Sequence, residues 1–452
     1  MKRSDIALKY FEQQSPETKQ RITDGIEQNR KGEAVIRFVS EKPLPADIVL
    51  EVEQLDHEFR FGANLFMLDE FETPEKNRQY RAMFPELFNL ATLPFYWDSL
   101  EPQPGVTRYA KDAPRIYRRP SPDLCLAYCR EQGIKPKAHC LNYDFFRPRW
   151  LWGATVEEHK AALEKHFAEL AERYAAQIPS WEVTNETFNV TFAKAFLDEH
   201  YSQFYREREF NEWSFLTADR YFPHNRLIIN DHLDFGCMRS PHGEYFGQRS
   251  PYYMEIERMM AHGVSHLDTI GFQYHCFFPR EMEQELNVTR YNPVHLLDIL
   301  DTYQTLGKRL QITEMTVSAF GDSREDEEIQ AQLLSHLYTL FFSHPAMDAI
   351  IYWNLPDGYA AGGKPGEMEH GENRYRGGLC RFDLSEKPAY RALKHLIRDE
   401  WHTSLTVRAE NGVARFKGFF GNYRLKVIAG GKEIPVDFTL ASGKDNELTV
   451  RL

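Results

Sequence analysis

Eight short apolar runs, each followed by a longer amphipathic or polar stretch, fill the middle of this chain and leave few folds open to it. They are Phe61–Leu65, Leu90–Phe95, Pro136–Leu141, Ser180–Thr184, Arg226–Ile229, Thr269–Phe272, Leu310–Thr313 and Ala349–Tyr352. Runs this short, dense in apolar residues and separated by helical spacing, read as strands buried on both faces. Helices are expected between them at Val156–Gln177, Asp326–Phe341 and Pro388–Ile397. The first opens with Thr155-Val-Glu-Glu158, a capping box in which hydroxyl and carboxylate satisfy the free amides of the first turn. Eight strand-then-helix units predict a parallel sheet closed into a (β/α)8 TIM barrel. An open doubly wound sheet is the competing solution, but no G-x-G-x-x-G opens any of these helices.

The two ends read differently. Ala34–Val39 and Ile48–Val52 flank a turn at Lys42-Pro43-Leu44-Pro45, and Leu405–Arg408, Val413–Phe416, Tyr423–Val427 and Leu448–Val450 are separated by Gly and Asn turns. The expected organisation is an N-terminal segment (1–56) packing on a C-terminal β domain (401–452), with the (β/α)8 barrel at 57–400. Together the termini would build a small β-sandwich-like accessory domain. A structural role is favoured over sugar binding, since that end has no Trp beyond Trp401.

Acidic residues outnumber basic ones, 67 to 55, for a formal net charge of −12. Without a long Lys/Arg cluster, such a chain is a poor partner for nucleic acid. No stretch approaches the roughly 18–20 apolar residues of a membrane span. The first residues, MKRSDIALKYFEQQSPETK, lack the apolar core of an export signal. The six cysteines, Cys125, Cys129, Cys140, Cys237, Cys276 and Cys380, form no CxxC pair. They read as reduced thiols of a cytoplasmic protein, with Cys125 and Cys129 as i,i+4 neighbours on a helix face. The sequence leaves the oligomeric state open.

In a barrel of this kind, chemistry sits where strands end at the C-terminal face. Trp181-Glu-Val-Thr-Asn-Glu186 ends the fourth run and Gln311-Ile-Thr-Glu314 the seventh. Two carboxylates facing one cavity suit glycoside hydrolysis, one protonating the leaving oxygen while the other attacks the anomeric carbon. Other runs end in Lys137-Ala138-His139, Asn230-Asp231, Gln273-Tyr274-His275 and Trp353, groups that suit a polyhydroxylated ring. The rival is a metal-dependent hydrolase using His139, Asp231, His232 and His275, which would leave both glutamates idle. A non-catalytic carbohydrate-binding barrel is the third reading, and retention of both glutamates counts against it.

These segments resemble a known family. Trp181-Glu-Val-Thr-Asn-Glu186, Ile312-Thr-Glu-Met315, Gly271-Phe-Gln-Tyr-His275, Trp97-x-x-x-Glu101-Pro102 and a stretch from Leu379 ending in Lys387-Pro-Ala-Tyr390 are similar to signatures of glycoside hydrolase family 10, the retaining β-1,4-xylanases. The resemblance runs from about Phe61 to Ile397. It implies Glu186 as acid/base and Glu314 as nucleophile of a double displacement on β-1,4-xylosidic bonds of xylan-derived oligosaccharides. It also implies that Asn185 bonds the 2-hydroxyl at the cleavage point, His139 contacts the same sugar, His275 holds the nucleophile, Gln273 supports that network and Trp353 floors the site. Tyr143 and Trp97 join the expected substrate-binding set. No metal or cofactor is implied.

Three departures bear on specificity. The family's Glu-Asn-x-Met-Lys-Trp segment, which grips the sugar one place beyond the cleaved unit, is here Leu93-Pro-Phe-Tyr96-Trp97. Its His-x-x-x-Trp-His reads His139-Cys-Leu-Asn-Tyr143-Asp144. A Gly-rich loop, Asp357–Gly378, replaces the second family tryptophan after the eighth strand and is expected to close one end of the cleft. The segment Phe145-Phe-Arg-Pro-Arg-Trp150-Leu-Trp152 is expected either to staple a loop or to present a sugar platform. The catalytic centre thus reads as retained and the glycone subsites as rebuilt, which leaves a different small β-glycoside as the alternative substrate.

Overall fold

A computed structural model describes residues 2–188, 202–232, 235 and 245–452. Its strands, in chain order, are β1 (Lys31–Val39), β2 (Val49–His57), β3 (Arg60–Asn64), β4 (Leu90–Pro94), β5 (Lys135–His139), β6 (Ser180–Asn185), β7 (Arg226–Asp231), β8 (Leu267–His275), β9 (Arg309–Thr316), β10 (Met347–Tyr352), β11 (Ser404–Arg408), β12 (Val413–Phe419), β13 (Gly421–Ala429), β14 (Lys432–Leu440) and β15 (Glu447–Arg451).

Strands β3 to β10 close into a parallel barrel in which β10 pairs with both β3 and β9. Each expected apolar run falls on one of these strands, so the sequence pattern and the (β/α)8 architecture agree. Helices link the strands and wrap the outside, among them Val156–Tyr174, capped by the Thr155–Glu158 box, and Arg324–Ser343. Crowding between strands is severe at Gly271 of β8: a Cβ there would lie 2.6 Å from Thr313 Cγ2 and 2.9 Å from the Ile229 carbonyl. Only glycine lets β7, β8 and β9 approach this closely.

The terminal strands form two sheets, β12-β1-β15 and β11-β2-β13-β14. They share a core of Ala34, Ile36, Leu50, Val52, Phe416, Tyr423 and Leu425. β14 was not foreseen; its Pro435 lies on the edge strand, where a missing N–H breaks no further ladder. The N-terminal segment divides in two. Before β1, helices Arg3–Ala7, Lys9–Glu12 and Pro16–Asn29 bury Ala7, Leu8, Phe11 and Ile22 in the barrel's core, so only β1 and β2 join the C-terminal strands. Phe342 of the barrel joins the two parts, its ring 4.3 Å from that of Trp401 and 6.1 Å from that of Phe419 on β12.

Cys125 and Cys129 lie buried on helix Pro122–Gln132, and Cys140, Cys276 and Cys380 are also free and buried; Cys237 lies outside the described residues. Among the described residues, no helix is long and apolar enough to cross a membrane.

Candidate active site

The C-terminal ends of the barrel strands open into a cavity of about 520 Å³ lined by His139, Tyr143, Asn185, Glu186, Gln273, His275, Glu314 and Trp353. Glu186 follows the last residue of β6 at φ 50°, a left-handed conformation that turns the chain sharply out of the sheet. Its N–H is held by the Asn230 carbonyl at 3.1 Å. A non-glycine residue pays for this backbone geometry, and such residues cluster at functional sites. Glu314, on β9, is nearly inaccessible to solvent.

One side chain joins the two carboxylates. The Gln273 amide nitrogen donates to Glu186 Oε1 at 3.0 Å, to Glu314 Oε1 at 3.2 Å and to Asn185 Oδ1 at 3.2 Å. Asn230 is a second hub: its amide donates to Glu314 Oε1 at 2.9 Å and to Asn185 Oδ1 at 2.7 Å, while Thr313 donates to its carbonyl oxygen. With Asn185 Oδ1 engaged twice, its amide nitrogen is left for the cavity. His275 Nε2 lies 3.2 Å from Glu314 Oε2, with the Thr316 hydroxyl 3.0 Å from Nδ1. Burial pushes His275 down to about 4, so the neutral ring suits Nε2–H donating to the carboxylate. Tyr143 donates its hydroxyl to Glu186 Oε2 at 2.6 Å; burial and that carboxylate push the phenol well up, so it stays a donor.

Beneath this layer lies a buried charge chain, Lys137–Glu182–His139, closed by hydrogen bonds from the ammonium and the ring Nδ1 to the two Glu182 oxygens. Burial alone would raise Glu182, but Lys137 and His139 override it and hold the carboxylate down at about 2. Burial would lower His139, and Glu182 reverses that, so its pKa is raised. Glu314 goes the other way. Burial, together with the Glu182 and Glu186 carboxylates and against His139 and Lys137, pushes it up to about 8.

Eight of the nine expected site residues thus converge. Trp97 does not. It lies in the short helix Trp97–Leu100 with its ring turned outward, stacked on His166 at 4.5 Å, and its Nε1 donates to Glu101 at 2.9 Å. Tyr96 takes the cavity position instead, its ring 5.2 Å from that of His139. The Phe145–Trp152 segment splits along its length. Phe145 and Phe146 line the cavity, whereas Trp150 packs on Trp97 and donates to the Glu101 carbonyl at 3.0 Å.

The sequence reading named Lys137 and Asn230 only as strand-end residues, without a role in holding the carboxylates, and gave no role to Glu182. Strand alternation carried the signal for Lys137, which shares the parity of His139 on β5. On β6 the pairing shifts between Glu182 and Thr184, so Glu182 and Asn185, three residues apart, both reach Asn230 and alternation alone would not place them together. The rival metal set does not assemble. His139 is committed to Glu182 and His275 to Glu314, and Asp231 accepts from the backbone N–H groups of His232 at 2.8 Å and Phe188 at 3.3 Å. Among the described residues, the trio with ligand geometry is His139, Glu182 and Glu314, and the Lys137 ammonium already sits against it.

Comparison with known proteins adds a sequence-wide measure. A family model described as glycosyl hydrolase family 10 matches residues 67–395. The anti-sigma-I factor RsgI6 of Acetivibrio thermocellus is 24% identical over 416 residues, spanning 90% of this chain and 46% of that protein. The endo-1,4-beta-xylanase B of Neocallimastix patriciarum is 24% identical over 229 residues, 50% of this chain and 24% of that protein. The chain therefore spans less than half the length of either relative. Among solved structures, the xylanase 10B of Thermotoga petrophila in complex with xylobiose superposes with a TM-score of 0.58 at 20% identity, covering 76% of this chain and 95% of that one. At that identity the match speaks for the fold.

Proposed function

The chain belongs to glycosyl hydrolase family 10, and from that premise we propose that it hydrolyses β-1,4-xylosidic bonds of xylan-derived oligosaccharides with retention of configuration. The observation that carries this reading is the Gln273 amide between the two carboxylates. Two oxygens within 3.2 Å of one nitrogen sit closer than the roughly 6.5–9.5 Å that inverting enzymes keep open for a water.

Reaction requires that Glu314, which keeps a proton up to about 8, give that proton up to solvent before attack and that Glu186 carry one. In the first step Glu186 then gives its proton to the glycosidic oxygen as that C–O bond breaks, and the ionised Glu314 Oε attacks the anomeric carbon to form a glycosyl ester. In the second step Glu186 takes a proton from water, whose oxygen attacks the same carbon and releases the Glu314 carboxylate. Asn230, Gln273 and His275 hold Glu314 from three sides, which fixes its line of attack. Asn185 offers its free amide to a sugar hydroxyl, His139 lines the same edge, and Trp353, between His139 at 5.6 Å and His275 at 6.1 Å, gives the ring an apolar face. Buried unpaired thiols favour a cytoplasmic setting, in keeping with short, imported substrates.

Two measurements test the reading. Products from xylohexaose, compared for wild type and Glu314→Gln by mass spectrometry, should be shorter xylo-oligosaccharides from wild type alone; intact hexaose in both tubes removes the xylan assignment. Glu186→Ala acting on an aryl β-xyloside with added azide should release the β-glycosyl azide, because azide enters the face that water uses in the second step. An α-azide, or no rescue by azide, refutes the roles given to the pair.

A further inference from the structure

The wall of the cavity beside Tyr96 is built from three loops tied to one another. Arg115, in the loop after β4, donates to Glu70 Oε2 in the loop after β3 at 2.6 Å. Tyr359, in the loop after β10, donates to Glu72 at 2.8 Å. Arg118 donates through Nη1 to Asn354 Oδ1 at 3.0 Å and to the Tyr359 carbonyl. The three loops are therefore held to one another as one wall of the cavity.

Its inner face is cationic. Arg118 and Arg119 both line the cavity. Arg119 lies flat on Tyr96, its guanidinium carbon 3.8 Å from the ring centroid, with Phe146 at 5.1 Å and Phe66 at 5.6 Å. It donates through Nη1 to the Arg118 carbonyl at 2.9 Å. Among the described residues, neither arginine has a carboxylate within ion-pair distance, and Nε and Nη2 of both meet no protein acceptor. That edge, Nε with Nη2, is the fork that matches two oxygens of an anion. The carboxylates nearby keep their charge but direct their oxygens to neutral donors: Ser99 donates to Asp98, and Glu372 accepts from Asn354 and from the Ala361 N–H. Burial lowers the Arg119 pKa, with Arg118 acting in the same direction and Tyr96 and Asp98 only partly offsetting it.

The position relative to the chemistry is short and continuous. Arg119 stacks on Tyr96, whose ring stands 5.2 Å from His139, and His139 Nδ1 lies 3.9 Å from Glu314. An anion at the fork would belong to the sugar next to the one under attack.

Resting on the hydrolase reading above, we propose that Arg118 and Arg119 form a subsite for an anionic substituent, a carboxylate or a sulfate ester, on the glycan bound in this cavity. Neutral sugar hydroxyls would leave two cationic forks poorly paired in a shielded wall, whereas a planar carboxylate or a tetrahedral sulfate supplies the missing oxygens.

The test uses four substrates on one backbone: xylotetraose, xylotetraose bearing a glucuronic acid, its carboxyl-reduced form, and sulfated xylotetraose. Wild type should favour one acidic substrate over its neutral counterpart by about 10–100-fold in kcat/KM, the span of a charge-assisted hydrogen-bond pair. The substrate showing that preference identifies the substituent. In Arg119→Gln the ratio should fall to within about threefold of one, with Arg119→Lys between, since it keeps the charge and loses the fork. Equal kcat/KM on acidic and neutral substrates in wild type, or a ratio unchanged in Arg119→Gln, overturns the subsite. Titration calorimetry on the same glycans separates this from the hydrolase reading. If nothing is cleaved, hydrolysis fails, while tighter acidic binding lost in Arg119→Gln still upholds the subsite and equal or absent binding refutes it.

Discussion

Glu314 carries the sharpest consequence of this geometry, because its burial sets the protein's stability against its chemistry. Its carboxyl is held at about 8 instead of 4.5, so between those pH values the folded state keeps a proton that the unfolded state releases. Stability falls with pH wherever the folded state binds more protons. The Glu314 contribution is therefore complete below pH 4.5, erodes through the window and is gone above pH 8. At 1.36 kcal/mol per pH unit, that window from 4.5 to about 8 is worth on the order of 4–5 kcal/mol.

Replacing Glu314 with Gln removes the titration and keeps the shape. The stability of Glu314→Gln relative to wild type should therefore climb by about 4–5 kcal/mol between pH 4.5 and pH 8.5. With an unfolding entropy of about 2.1 cal/mol/K per residue over 452 residues, each kcal/mol moves the midpoint by about 1 °C, so the Tm gap should widen by about 4–5 °C. Thermal unfolding of both proteins at half-unit pH steps measures it. Taking the difference cancels contributions common to both, such as the buried His57 on β2. Glu182 stays ionised across the whole window, since its own loss of stability comes only as pH falls toward about 2. Tm curves that run parallel from pH 4.5 to 8.5 would show that Glu314 holds no extra proton, and the account of the buried pair would fail.

Two further changes test the frame around the pair. Glu182→Gln strands the fully buried Lys137 ammonium without its carboxylate, at an expected cost of about 3–5 kcal/mol in denaturant unfolding; a loss below about 1 kcal/mol would mean that the chain Lys137–Glu182–His139 is not held as drawn. Gly271→Ala drives a methyl against Thr313 Cγ2 and the Ile229 carbonyl, at about 1–3 kcal/mol, and should also slow xylo-oligosaccharide hydrolysis because Gln273 and His275 ride on the same strand; wild-type stability and rate together would contradict that crowding.

The barrel was legible because its strands are short, apolar and buried on both faces, a pattern that survives without any knowledge of the partners. Glu186 and Glu314 were legible for a related reason: a polar residue at the end of such a run has only the strand mouth to occupy. Trp97 was misplaced because the reading assigned it by motif: Tyr96, the extended residue that precedes the helix Trp97–Leu100, lines the cavity, while Trp97, the first residue of that helix, packs away from it on His166. Helix Pro16–Asn29 left little trace, since Ile22 alone of its side chains is fully buried.

The specificity wall was illegible for a physical reason that the catalytic centre escapes. Strand ends inherit their positions from barrel register, in which each residue is fixed by the pairing of its neighbours on either side. The wall instead depends on contacts between loops far apart in the chain, Arg118 with Asn354 and Tyr359, and Glu72 with Tyr359, none of which shares a strand or a helix period. An arginine pair in a loop reads as solvated surface until those contacts are known. The same division explains how specificity can change while chemistry stays: Asn230, Gln273 and His275 hold Glu314 through side chains on β7 and β8, none of them on the wall. Substitutions at Arg118, Arg119 or Tyr96 can therefore alter which glycan is held without moving a hydrogen bond to the nucleophile.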